Sequence, residues 1–238
     1  MLVVRSFCFY VLAFIPTSIF CVTGVLCLVL PRFILVAYTR LWLRSIFFLL
    51  HYVQGISSHI EGKENLPTGP FIVASKHQAI LETFFFPLLF DHPYIVLKKS
   101  LTRIPFWGWL AQKYDVIAID RSNSKQSLRD LMEKGSKSFE NGRPLLIFPE
   151  GTRTAPGVKT IYKSGIALLY AKLNLPVVPI AVNTGMVWPR KTFLNYPGRA
   201  VIKILPPIPP GLSKKEFMFN LEDVIEKESL KLMECARD

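Results

Sequence analysis

A chain of 238 residues is long enough for one domain with a substantial core and too short for two large ones. Half of it is hydrophobic and only 19% is charged, which excludes an intrinsically disordered chain. Twenty-nine basic against 17 acidic residues leave a net charge of +12, a surface suited to nucleic acid, anionic lipid headgroups or phosphorylated and acidic ligands.

Arg5 is the only charge before Arg32, and Ser6 to Pro31 is rich in Phe, Leu, Val and Ile. As one helix that run would reach roughly 39 Å, against a hydrocarbon core of about 30 Å. Pro16 and Gly24 predict a kink, or two pieces dipping into one leaflet. Phe33 to Val53 is a second apolar run, broken by Arg40, Arg44 and His51, and reads as an amphipathic or snorkelling helix. A cleaved signal peptide fits less well, because the apolar stretch is too long and no A-x-A site follows it. Arg32, Arg40 and Arg44 place the C-terminal side in the cytoplasm, at the inner (plasma) membrane. The spacing of Cys8, Cys21, Cys27 and Cys235 suggests neither a disulfide framework nor a metal site.

After Gly55 the pattern changes, so residues 1–54 read as membrane-anchoring helices and 55–238 as the main domain. Ser58–Glu61, Phe71–Ala74, Tyr94–Leu97, Val116–Ile119, Leu145–Phe148, Val177–Val182 and Ala200–Leu205 read as strands, several continuously apolar. Ser124 to Phe139 and Gly165 to Leu173 read as helices between them. A last helix opens on Ser213, with Glu216 completing a capping box. This alternation predicts an α/β fold with a largely parallel sheet flanked by helices.

In such sheets chemistry gathers beyond the carboxyl ends of strands, and three loops there are unusual. In the first, Ser75 to Glu82, His77 leaves a strand and Glu82 begins a helix. With His77 outside the helix, the carboxylate can fold back onto one ring nitrogen and make the other a better base. The bland alternative is a histidine satisfied by local backbone beside a solvent-facing glutamate. The second loop, Phe148 to Arg153, offers Glu150, a flexible Gly151, the Thr152 hydroxyl and the Arg153 guanidinium, which can grip a phosphate with two parallel hydrogen bonds. The third, Lys98 to Arg121, sets Lys98, Lys99 and Arg103 beside aromatics, as a phosphorylated lipid at a membrane interface would require. Phe106 and Trp109 themselves read better as core.

Together these residues resemble the glycerolipid acyltransferase family, and within it the bacterial 1-acyl-sn-glycerol-3-phosphate acyltransferases. The likeness covers about Gly62 to Leu205 in four ordered blocks: His77 with Glu82 at the position of the family's aspartate; Lys98, Pro105, Gly108 and Arg121; Phe148 to Arg153 without a change; and Val177-Val178-Pro179-Ile180. Glu82 is one methylene longer than the usual aspartate and is similar to a subgroup with His-Gln-x-x-x-Glu-Thr.

The resemblance implies a glycerol-3-phosphate acyltransferase-like fold and acyl transfer from a thioester to the sn-2 hydroxyl of 1-acyl-sn-glycerol 3-phosphate. It implies His77 as general base and Glu82 as its orienting partner. Lys98, Arg121, Glu150, Gly151, Thr152 and Arg153 would bind the acceptor, with Glu150 holding either the glycerol or Arg153. The implied partners are lysophosphatidic acid, an anionic membrane surface and an acyl donor carried on acyl carrier protein or coenzyme A. No metal, cofactor or nucleic acid is implied. An acyltransferase acting on another lysolipid or an amine, a thioesterase, and a non-catalytic basic membrane-binding or nucleic-acid module are the rivals; no G-x-S-x-G elbow supports a serine hydrolase.

Overall fold

Among the residues described by the computed structural model, 1–120 and 124–236, seven apolar runs pair into one sheet. The strands are β1 (Ile56–Glu61), β2 (Ile72–Ser75), β3 (Tyr94–Lys98), β4 (Ile117–Ile119), β5 (Leu145–Ile147), β6 (Val177–Val182) and β7 (Gly198–Ile204). Their order is β1-β7-β6-β2-β5-β3-β4, parallel throughout except between β6 and β7. The five strands from β6 to β4 therefore release their carboxyl ends along one edge. Each strand expected from the sequence is present, Val177–Val182 with the same ends and the others with ends displaced by at most two residues.

The helices are α1 (Leu2–Thr23), α2 (Arg32–Leu49), α3 (Leu81–Leu89), α4 (Trp107–Lys113), α5 (Ser124–Glu140), α6 (Gly165–Leu173), α7 (Thr184–Val187) and α8 (Lys214–Glu234). The two-residue strand period sends Val73, Leu146 and Val178 to one face, where Phe9 of α1, Ile46 of α2 and Phe86 of α3 cover them. Ile72, Leu145 and Val177 point the other way, under Leu131 of α5, Tyr170 of α6 and Phe217 of α8. Covering on both faces is why the central strands are apolar at every position. The capping box of α8 closes in both directions, Ser213 Oγ accepting from the Glu216 amide at 3.2 Å and Glu216 from the Ser213 amide at 3.1 Å.

The N-terminal helices form an antiparallel hairpin laid against the domain. Phe20 stacks on Trp42 with centroids 4.6 Å apart, and Arg5 Nε donates to the Val53 carbonyl at 2.8 Å. Pro16 lies inside α1 without ending it; the α-helix gives way at Gly24–Leu28, a 3₁₀ turn. Gly24 packs closely there, an added Cβ lying 2.8 Å from a Leu110 methyl. Arg40 does not snorkel outward: it donates to the carbonyls of Pro87 and Phe90 and pairs with Asp91, capping the end of α3. The residues at 1–54 and the α/β domain thus share one core through Phe9, Ile46 and Leu50.

Residues Leu2–Leu28 and Arg32–Gln54 are long and apolar enough to cross a membrane. Their outer faces expose Phe7, Val11, Phe14, Ile19 and Val22 in the first and Phe33, Leu41 and Phe48 in the second, an apolar strip fit for association with a membrane.

Phe106 and Trp109 are not core residues, contrary to the sequence reading; they are 41% and 47% exposed and meet edge to face. The turn before α4 closes so tightly that Gly108 would set a Cβ 2.3 Å from the Thr102 carbonyl oxygen. That geometry rotates Trp107, Leu110 and Tyr114 inward against Phe20 and Leu35, and leaves the other two aromatics outside.

At the opposite edge, His92 donates from Nε2 to the Tyr114 carbonyl at 3.0 Å, beside an Arg143–Asp115–Arg32 cluster. Burial, then the Arg143 charge, pushes the imidazole down to about 4. The unfolded chain takes up this proton near 6.5, so stability is lost as pH falls from 6.5 toward 4. Allowing for solvent screening, the loss is about 1–2 kcal/mol. His92→Asn, tolerant of the positive φ here, should lower the thermal midpoint less than wild type does between pH 7 and pH 5. Parallel pH dependence in both proteins would contradict this.

Candidate active site

The carboxyl edge of β2 carries the most constrained chemistry. β2 continues its pairing one residue beyond the strand, the Lys76 amide donating to the Ile180 carbonyl at 2.9 Å. His77 then leaves the sheet, and Glu82 at the start of α3 folds back to it, as the sequence leads one to expect. Glu82 Oε1 accepts from His77 Nδ1, the Gln78 amide and the Ala79 amide, each at 2.8 Å. Its Oε2 accepts from the Ala79 amide at 3.1 Å and the Thr184 hydroxyl at 2.6 Å. The carboxylate is fully buried, yet it is satisfied by a ring nitrogen, a hydroxyl and two amides at a helix start, where a negative charge is favoured.

Glu82 offers only acceptors in this form, so the proton sits on His77 Nδ1 and the lone pair on Nε2. The ring stacks on Phe148, with centroids 4.1 Å apart and planes at 24°, and its side chain keeps 16% exposure. Among the described residues Nε2 makes no hydrogen bond. A fixed tautomer that leaves the Nε2 lone pair without a partner can serve a general base.

The neighbouring β5 loop is fastened to the same residue. The His77 amide donates to Glu150 Oε1 at 3.0 Å, and the Thr154 amide donates to the His77 carbonyl at 2.8 Å. The Thr154 hydroxyl donates to Glu150 Oε2. Of the two roles the sequence suggests for Glu150, positioning Arg153 has no bond behind it: the bonds of Glu150 run to the His77 amide, the Thr154 hydroxyl and Lys76. Glu150 is buried and holds the backbone of His77, because β2 and β5 are adjacent and in register. Burial raises the Glu150 carboxyl above the usual carboxylate range, against the opposing pull of Lys76, the Thr154 hydroxyl and the His77 amide. Gly151 takes φ +68°, a left-handed turn that glycine adopts without strain.

Thr152 and Arg153 stand exposed beyond that turn, and Lys98 is exposed at the end of β3 on the far side of β5. Strands lie roughly 4.8 Å apart, so the end of β3 is about 10 Å along the edge from β2. Among the described residues none of these three bonds to His77; Arg121 lies outside the described residues. Thr184, Thr154 and the buried Lys76 were missed from the sequence. For Thr184 a signal existed, since it follows the end of β6 on the same edge. Among the described residues no group of three or more His, Cys, Asp and Glu side chains is placed to hold a metal ion.

Residues 57–183, just over half the chain, match the Acyltransferase family. A 1-acyl-sn-glycerol-3-phosphate acyltransferase of Pseudomonas aeruginosa is 39% identical over 165 residues, 69% of this chain and 64% of that protein. One from Saccharomyces cerevisiae is 32% identical over 69% of this chain and 56% of its own length. One from Helicobacter pylori is 29% identical over 79% and 78%. The match thus spans less than two thirds of the Pseudomonas and yeast proteins. The crystal structure of the Thermotoga maritima 1-acyl-sn-glycerophosphate acyltransferase superimposes with a TM-score of 0.81 over 98% of both chains at 22% identity, the same fold. With the family's match running from β1 to the end of β6 and enclosing both loops that meet at His77, this chain belongs to the Acyltransferase family.

Proposed function

We propose that the protein moves an acyl group from a thioester to the sn-2 hydroxyl of 1-acyl-sn-glycerol 3-phosphate, yielding phosphatidic acid for phospholipid synthesis. The observation that carries this reading is His77 held by buried Glu82 at 2.8 Å, beside a loop that ends in an exposed arginine. The relatives named above support the choice of acceptor.

In this reading Nε2 of His77 removes the proton of the acceptor hydroxyl as its oxygen attacks the thioester carbonyl. The tetrahedral adduct expels the thiolate, which recovers the proton from the imidazolium. Glu82 keeps Nδ1 protonated before the step and faces the positive ring after it. No acyl-enzyme is required, because the thioester is already activated. Arg153 and Thr152, helped by Lys98 and Arg121, hold the 3-phosphate, and a fixed phosphate orients the hydroxyl toward the base. The acyl donor, on acyl carrier protein or coenzyme A, is a co-substrate, and the reaction uses no separate cofactor. The apolar strip of α1 and α2 keeps the domain at an anionic leaflet, on the cytoplasmic side by the placement of Arg32, Arg40 and Arg44.

The test is to incubate purified protein with an acyl thioester and a panel of lysolipid, amine and water acceptors. Phosphatidic acid should form from the phosphorylated lysolipid in clear preference; equal transfer to amines or water would overturn the reading. Arg153→Lys removes the paired hydrogen bonds and should raise the KM for the phosphorylated acceptor about tenfold with kcat nearly unchanged. An unchanged KM would remove Arg153 from the phosphate site.

A further inference from the structure

Lys76 is 1% exposed, although lysine is almost never buried without a partner. The strand period explains where it goes: His77 turns toward α3, and Lys76 turns to the opposite face, under α8. Its Nζ meets both carboxylate oxygens of Glu226 in α8, at 2.7 and 2.9 Å, and lies 3.4 Å from Glu150 Oε1. Tyr162 donates to the same Glu226 at 3.0 Å. One ammonium thus serves two carboxylates, the buried Glu150 and the half-buried Glu226, and Glu150 holds the amide of His77. Glu226 lies 43 residues beyond the stretch that matches the Acyltransferase family, 57–183.

We infer that Lys76, clamped by Glu226, is a positioning residue for the reaction: it compensates the Glu150 charge and so locks the β5 loop onto the backbone of His77, making α8 part of the active-site machinery. The role in turnover rests on the function proposed above; the lock itself does not. A buried pair deprived of one partner leaves a charge with no compensation, whereas removing both charges together restores the balance. Lys76→Met leaves the buried Glu150 and the half-buried Glu226 carboxylates with no cation between them. Lys76→Met/Glu226→Gln returns the cluster to its original net charge of −1, the sum of one ammonium and two carboxylates in the native protein.

The experiment measures kcat for acyl transfer and amide hydrogen exchange at His77 and Thr154 in wild type, both variants and Glu226→Gln, with thermal midpoints alongside. Lys76→Met should lower kcat about 10²-fold and speed exchange at both amides at least tenfold, with the KM for the thioester within about twofold. The double variant should recover at least tenfold in kcat and regain slow exchange, which a purely packing role would not produce. A double variant no better than Lys76→Met, or Lys76→Met with native kinetics and exchange, overturns the proposal. Should Lys76→Met fail to fold, Glu226→Gln decides: about fivefold lower kcat with faster exchange supports the clamp, and native values of both refute it. Wild type without acyl transfer would sink the proposed function, while the exchange rates would still decide the lock.

Discussion

His77→Ala should reduce acyl transfer at least 10³-fold while the protein stays folded and membrane-bound. General-base assistance contributes about 10²–10⁴-fold, and the acceptor hydroxyl is too weak an acid to attack without it. The substitution is mild for the fold. The ring is partly exposed and loses one stacking contact with Phe148, worth about 1 kcal/mol. Glu82 keeps its bonds to the Gln78 and Ala79 amides and to Thr184, so its buried charge remains satisfied. The exposed apolar residues of α1 and α2 are untouched. Turnover and vesicle co-sedimentation, measured on the same preparation, check this; a variant keeping more than about a tenth of wild-type rate would remove His77 from the chemistry.

Glu82→Gln should cost both activity and stability. Every partner of this side chain is a donor: a ring N–H, two amides and a hydroxyl. A carboxamide has the same shape, and the Thr184 hydroxyl could turn to accept from it, but in either orientation its NH₂ faces a backbone N–H, those of Gln78 and Ala79 at the Oε1 position or that of Ala79 at the Oε2 position, a mismatch of about 1–3 kcal/mol. If the NH₂ faces His77, the ring has to flip its tautomer and Nε2 ceases to be a base. We expect kcat to fall about 10²–10⁴-fold with a lower thermal midpoint. Glu82→Asp keeps the charge and the acceptors and should stay within about tenfold of wild type. A fully active Glu82→Gln protein would mean that tautomer control plays no part.

Much of this was legible in the chain because the signals are local. Continuous apolar runs such as Val177–Val182 can hardly be anything but strands buried on both faces, and the Ser213–Glu216 box marks a helix start within four residues. The fold-back of Glu82 onto His77 was also local, five positions apart and settled by where the strand ends and the helix begins. What escaped depends on closure over long separations. Lys76 meets Glu226 across 150 positions, and Thr184 meets Glu82 across 102. Neither pairing has a periodic signature; only the sheet order and the faces of β2 bring the partners together. The exposed pair Phe106 and Trp109 shows the converse limit, where hydrophobicity suggested burial and the tight turn at Gly108 decided otherwise. Arg40 is a similar case, its cationic end taken up by the last carbonyls of α3.

The most direct measurement follows thiol release from the acyl thioester with and without an acceptor whose 2-hydroxyl has been removed. If the hydroxyl itself attacks under the Nε2 base, release will match phosphatidic acid one for one and will stop with the 2-deoxy acceptor, with no burst when acceptor is absent. Sustained release with the deoxy compound, or a burst equal to the enzyme concentration, would contradict direct transfer and the role assigned to His77.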